Sequence, residues 1–235
     1  MTTAFVYVRK ACAAMSFASL ALTVACVRND GGADSARDTA TTSNPINIAK
    51  ERAEDLTGDG APEKISLTAR GARMDTLRVH LEIRSPGDSV LYASSWDSHF
   101  YFQYVERAGL SDAAADSIVR RHLDAVLADT AFRTVETGTA TDTIPAMMMR
   151  DAIRYDIATH RMRVAHGLQP GAELPRAAHD SVNMLAAAVS RADIDTLFRE
   201  LRGRKSFTWF AGGEVTYSIA WSDREQRFVT VFSCC

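Results

Sequence analysis

Between residues 65 and 96 apolar and polar positions alternate with a period of two. Ile65, Leu67 and Ala69 are interleaved with Ser66, Thr68 and Arg70, and Leu77, Val79, Leu81 and Ile83 with Arg78, His80, Glu82 and Arg84. That period predicts strands with one buried and one wet face. Ser85-Pro86-Gly87-Asp88 predicts a type II turn, with Pro fixing φ and Gly taking a positive φ, and Val90–Trp96 follows as a third strand. After the aromatic run Phe100-Tyr101-Phe102-Tyr104 the period lengthens to about 3.6, the helical value. Ser111 is the expected N-cap of a first helix that buries Ala115, Ile118, Val119, His122, Val126 and Leu127. Gly138–Pro145 interrupts the pattern, and Met147–Ala165 predicts a second helix with Ala152, Tyr155, Thr159 and Met162 on one stripe. A third helical region covers Ala177–Leu201 with a break near Ser190, burying Ile194, Leu197, Phe198 and Leu201. The strand period then returns at Ser206–Phe210, Val215–Ser222 and Phe228–Ser233, with Asp223–Gln226 as a hairpin turn.

Strands, then helices, then strands predict a single α+β domain over residues 46–235. The N-terminal meander and the C-terminal hairpin strands supply the antiparallel sheet, and three helices inserted between them gather on one face. Leu77, Val79, Leu81 and Ile83 are expected to share a buried face with Val215, Tyr217, Ile219 and Trp221, in the same or a facing sheet.

The first 45 residues follow neither period. Arg9 and Lys10 precede an uncharged run from Ala11 to Ala25, and Arg28 and Asp30 bound it on the other side. Fifteen residues are short of the about 20 that a membrane span needs, so residues 1–25 read as a cleaved signal peptide. The run ends Leu22-Thr23-Val24-Ala25-Cys26. This junction resembles the lipobox of bacterial lipoproteins, with Thr23 where that family usually places Leu. The resemblance implies lipidation of Cys26 by a diacylglycerol and an amide-linked acyl chain such as palmitate. At about 0.8 kcal/mol per buried CH₂, membrane attachment through such an anchor is effectively permanent. Val27 after the Cys resembles outer-membrane rather than inner-membrane sorting in diderm bacteria. Residues 26–45 are rich in Asp, Ser, Thr, Ala and Gly and form a tether with too little apolar surface to fold.

Composition excludes other classes. The 235 residues are 46% hydrophobic and 24% charged with a formal net charge of −2, ordinary for a globular chain. Loss of residues 1–25 removes two cations and no acid, taking the net charge to −4. There is no basic footprint for nucleic acid, and anionic lipid surfaces would not hold the mature chain without its acyl anchor.

One segment carries a mechanism. In Asp55-Leu56-Thr57-Gly58-Asp59-Gly60-Ala61-Pro62-Glu63, oxygens alternate ahead of a Gly at the sixth position and an acid at the ninth, the way a loop wraps a hard cation. It resembles the calcium loop of FG-GAP and VCBS-type repeats. The resemblance implies Ca²⁺ held by Asp55, Thr57, Asp59 and Glu63 with the Ala61 carbonyl; Thr57 and Glu63 depart from the Asn or Asp usual at those positions. A single copy in about 190 folded residues excludes the propeller that such repeats build. A metal-free Asp-Gly turn is the alternative.

The six histidines have no zinc spacing, and no nucleophile-elbow, P-loop or dinucleotide motif occurs. Trp96-Asp97-Ser98-His99 offers an acid near an imidazole. Cys234 and Cys235 suit structural cysteine better than a redox dithiol, and consecutive Met147, Met148 and Met149 point about 100° apart on a helix, so they are core filler rather than copper ligands. Two functional readings result. The first is an envelope-anchored lipoprotein with a non-enzymatic binding or assembly role toward an envelope partner, stabilised by calcium. The second is an envelope hydrolase using Asp97, His99 or another acid.

Overall fold

The computed structural model describes residues 45–102, 109–138, 144–170, 172–213 and 215–234, within a unit that runs from Thr42 to Cys235. The expected signal peptide, Cys26, nearly all of the expected tether, Tyr104 and Cys235 lie outside the described residues.

Two four-stranded antiparallel sheets form the framework. Sheet 1 is a meander of β1 (Ile46–Glu54), β2 (Glu63–Gly71), β3 (Arg78–Arg84) and β4 (Val90–Asp97), and sheet 2 has the order β5 (Phe132–Thr134), β6 (Lys205–Gly212), β7 (Val215–Ser222) and β8 (Arg227–Cys234). Between the sheets in sequence come α1 (Asp112–Val126), β5, α2 (Ala146–Ala165), α3 (His179–Ala188) and α4 (Arg191–Leu201). The α+β class and the antiparallel pairing are as the alternation predicts, with the strands divided between two sheets.

The inward residues of both sheets make one core. Ile65, Leu67, Val79, Leu81 and Ile83 from sheet 1 meet Phe207, Trp209, Ile219, Trp221 and Phe228 from sheet 2, joined by Ala115, Val119, Leu123 and Val126 of α1. Leu77, Val79, Leu81 and Ile83 are fully buried, as the alternation predicts, and the facing sheet supplies Ile219 and Trp221 with Tyr217 partly buried beside them. On sheet 2 a column of aromatic rings runs across the strands: Phe132 on Phe207 at 5.2 Å, Phe207 on Trp209 at 5.3 Å, Trp209 on Tyr217 at 5.5 Å. Each such pair adds about 0.5–1.5 kcal/mol beyond burial of area. The other face of sheet 2 carries a second core, in which Ala220, Val229 and Val231 pack under Met149, Ile153, Ile194 and Leu201 of α2 and α4, with Val182 and Ala186 of α3 alongside. Sheet 2 is therefore covered on both faces, whereas sheet 1 keeps a wet face of Arg78, His80, Glu82 and Arg84 at the surface or half-exposed.

Four details differ from the expectation. β1 escapes the alternation because its half-buried positions include Lys50, Arg52 and Glu54, which pair with Asp124, Asp129 and Lys205; inward-pointing charges of this kind also protect an edge strand from adventitious pairing. β5 is too short to leave a period. In the turn after β3 the positive φ falls on Asp88 (65°) rather than Gly87, and the Asp88 N–H donates to the Ser85 carbonyl at 2.9 Å. That is a type I turn closed by a left-handed residue, a conformation Asp tolerates. In α2 the buried residues are Met149, Ala152, Ile153, Ile157 and Ala158, so the stripe of Ala152, Tyr155 and Thr159 lies along one margin of the buried face. The break in the third helical region is real: Ser190 accepts from the Asp193 N–H at 3.1 Å and starts α4.

Candidate functional site

The 55–63 loop is closed by its own hydrogen bonds. Asp55 accepts from the Gly58 N–H at 2.7 Å through one oxygen and from the Gly60 N–H at 3.1 Å through the other, and Asp59 accepts from the Ala61 N–H at 2.8 Å. Gly58 and Gly60, at φ +80° and +88°, let the chain curl back to make these bonds. Glu63 is buried to 1% exposure and turns under the loop, where it accepts from the N–H groups of Leu56 (2.7 Å) and Thr57 (3.2 Å) and from the Thr57 hydroxyl (3.0 Å). Among the described residues no three acidic, histidine or cysteine side chains group to hold a metal ion. The structure thus brings Thr57 and Glu63 together, leaves Asp55 and Asp59 on the rim, and commits one Glu63 oxygen to two amides and the other to the Thr57 hydroxyl.

Asp97 and His99 do not form a pair. Asp97 ends β4 and accepts from Arg78 at 3.2 Å, whereas His99 is exposed on the short helical turn Ser98–Phe102 and lies against Phe100. Tyr101 and Phe102 of the aromatic run are core; the Trp96 indole N–H donates to the Tyr101 hydroxyl at 2.8 Å, and burial pushes that phenol up to about 12. Gly212, at φ +95°, holds this turn in place, since a Cβ there would stand 2.6 Å from the Phe100 Cβ. Cys234 is half-buried at the end of β8, and Met149 is buried while Met147 is exposed.

A different place gathers polar groups around open space. The edge strands β4 and β8 do not pair, and α2 runs beside them, leaving a cavity of about 880 Å³. Both edges are bulged at its wall: Leu91 is the extra residue where Ile83 faces Tyr92 and Arg84 faces Val90, and Val231 is the extra residue where Ser218 faces Phe232 and Ile219 faces Thr230. Bulges concentrate at edges and next to binding sites because they re-aim the flanking side chains. Leu91, Tyr92, Met148, Ala152, Leu168 and Phe228 supply an apolar wall, and Tyr155 and Val164, 48% and 64% exposed, stand at the mouth. Tyr92 reaches across from sheet 1 and meets Trp209 at 5.8 Å and Phe228 at 6.3 Å, both edge-on.

The polar end is built by Asp156, His160 and Arg163 at i, i+4 and i+7 on α2, with Arg227 at the start of β8. Arg227 Nη1 donates to Asp156 at 2.6 Å and to the Phe228 carbonyl at 3.1 Å, and the second Asp156 oxygen accepts from the Thr230 N–H at 3.0 Å. Both side chains of this pair are nearly buried, at 14% and 12% exposure. Arg227 Nε and Nη2 are buried without a hydrogen-bond partner, and Nε lies 4.0 Å from a Glu225 carboxylate oxygen, a second and looser ion pair. Arg163 Nε donates to the Ala172 carbonyl at 3.1 Å, which ties α2 to the following loop. Burial, then the charge of Arg227, holds the His160 imidazole below its ordinary value, so it is neutral at pH 7. Burial likewise pushes the Tyr92 hydroxyl above its ordinary value.

The i, i+4, i+7 spacing of Asp156, His160 and Arg163 is legible in the sequence as a polar stripe; their partner Arg227, 71 residues from Asp156, is not. Comparison with protein-family models, curated proteins and solved structures finds no match to this chain. Among the described residues no helix is long and apolar enough to cross a membrane.

Proposed function

We infer that the chain is an envelope-anchored bacterial lipoprotein, placed in the outer membrane of a diderm cell, that captures a small ligand in the cavity between β4, β8 and α2. The cavity carries the reading: its volume of about 880 Å³ lies in the ligand-site range of roughly 300–1,000 Å³, and an apolar wall with a few convergent polar groups is the usual make-up of such sites. Two observations favour binding over hydrolysis. Asp156 is engaged by Arg227 and the Thr230 amide, and among the described residues no hydroxyl or thiol hydrogen-bonds to His160. The anchor rests on the Ala25-Cys26 junction and the polar tether.

The test is mass spectrometry on protein extracted from bacterial membranes. An acylated N-terminal Cys26, loss of membrane attachment in Cys26→Ser, and a small molecule that accompanies wild type but not the cavity-filling Thr159→Trp are expected. An unmodified N-terminus elsewhere contradicts the anchor, and equal cargo in Thr159→Trp contradicts the cavity. Calcium at the 55–63 loop remains a separate proposal, supported by the second lone pair left on each Asp55 oxygen. A rise in unfolding temperature with calcium over chelator, lost in Asp55→Ala, supports it, and an unchanged temperature removes it.

A further inference from the structure

Five charged side chains line the cavity, Asp151, Asp156 and Glu173 with Arg163 and Arg227. Asp151 pairs with Arg154 at 2.8 Å, Glu173 with Arg78 at 2.6 Å and Asp156 with Arg227 at 2.6 Å, while His160 is neutral at pH 7. Arg163 is the remaining charged residue of the lining, and among the described residues it has no carboxylate partner. Arg163 is half-exposed and is the one guanidinium of the lining without a carboxylate partner, so it can pair with a negative charge on what enters, whereas the lining carboxylates already have arginine partners. Hydroxyl donors stand in the same lining at Tyr92, Ser94 and Thr159. Val164 and Leu168 flank Arg163 along the chain, and toward the start of α2 the lining adds the apolar Ala152 and Met148, with Leu91 from β4.

We propose that the cavity binds an amphiphile with a single carboxylate, its head paired with Arg163 beside Thr159 and Tyr92, and its aliphatic body along the α2 and β4 wall. A monocarboxylate matches the one guanidinium of the lining that has no carboxylate partner, and a planar guanidinium donates to it bidentately. A dianionic phosphomonoester would bring one charge too many. The proposal rests on the cavity being a ligand site, and the experiment separates the two ideas.

Full chain produced without acylation is titrated calorimetrically at pH 7.5, below micellar concentration, with dodecanoate, dodecan-1-ol, dodecyl phosphate and dodecyltrimethylammonium. Dodecanoate is expected to bind about ten to a hundred times tighter than the alcohol, the worth of a charge-assisted hydrogen bond in a closed site, with the phosphate weaker than the carboxylate and the ammonium weakest. Arg163→Met should bring carboxylate and alcohol to equal affinity, Arg163→Lys should restore part of the difference, and Thr159→Trp should weaken every ligand. Equal binding of carboxylate and alcohol by wild type, or a preference that survives Arg163→Met, overturns the head-group proposal and leaves the cavity reading intact. Binding of no ligand, or binding indifferent to Thr159→Trp, overturns both. Because Arg163 also holds the Ala172 carbonyl, an independent readout is the His160 titration followed by NMR. His160 is faced by Asp156, Arg161 and Arg163 on α2, Asp193 on α4, Arg224 and Glu225 in the turn before β8, Arg227 on β8, and Tyr92 on β4. Dodecanoate should raise its midpoint and dodecanol should not; an unmoved midpoint with bound dodecanoate contradicts the placement of the head.

Discussion

The 55–63 loop and the polar end of the cavity are both small clusters of charged side chains, and they resolve their charges in opposite ways. In the loop every carboxylate accepts N–H groups from within nine residues, and Glu63, the most buried, accepts three donors. At the cavity Asp156 joins segments 71 residues apart, yet two Arg227 nitrogens make no hydrogen bond and Arg163 has no opposing carboxylate among the described residues. A cluster that satisfies itself locally fixes the chain's path. One that leaves charge over, next to open space, is arranged for something else. Acidic spacing in a sequence therefore points as readily to a turn as to a metal, and a charged group left without an opposing partner in a lining is the more telling feature.

The sharpest way to break this contrast is Asp156→Ala. It strands a nearly buried guanidinium and an unpaired Thr230 amide, and should cost about 3–5 kcal/mol in urea unfolding. A cost below about 1 kcal/mol would mean that Arg227 finds water and that the polar end is not closed. Next is Glu63→Ala, which leaves two amides and a hydroxyl without an acceptor and should cost about 2–3 kcal/mol, with Glu63→Gln recovering part. The two losses should add in the double variant, because the clusters share no partner. Ser190→Ala removes the cap that separates α3 from α4 and should cost about 1 kcal/mol.

The smallest effect is in pH dependence. His160 and His122 are both held below the ordinary 6.5, by burial first and then by Arg227 and Arg121 respectively. Where the folded value is the lower one, the unfolded chain binds protons first, so stability falls as pH drops through about 6.5 toward the folded values. Thermal unfolding between pH 7.5 and 5 should show this decline, and His160→Gln should flatten it. A steeper decline in that variant contradicts the assignment.

Much of the fold is legible because the period of apolar residues changes cleanly from two to 3.6 and back. Ser111 and Ser190 both cap where the sequence places caps, and Leu77 to Ile83 bury the face that alternation selects. What escapes has a physical cause. β1 puts Lys50, Arg52 and Glu54 on its half-buried face, so its pattern is one of ion pairs across 74 to 151 residues rather than of hydrophobicity. The division into two sheets escapes because alternation specifies a buried face but not what covers it. The candidate site was half visible: Tyr155 and Thr159 share a stripe on α2, but the stripe lines a cavity that exists only because β4 and β8 bulge and stay unpaired.

The most direct test of the central claim is photo-crosslinking with a dodecanoate that carries a diazirine near the end of its chain, followed by peptide mapping. Label is predicted on the wall formed by Leu91, Met148 and Ala152, displaced by excess dodecanoate. Label spread over the wet face of sheet 1, or undiminished by competitor, would contradict the assignment of this cavity as the binding site.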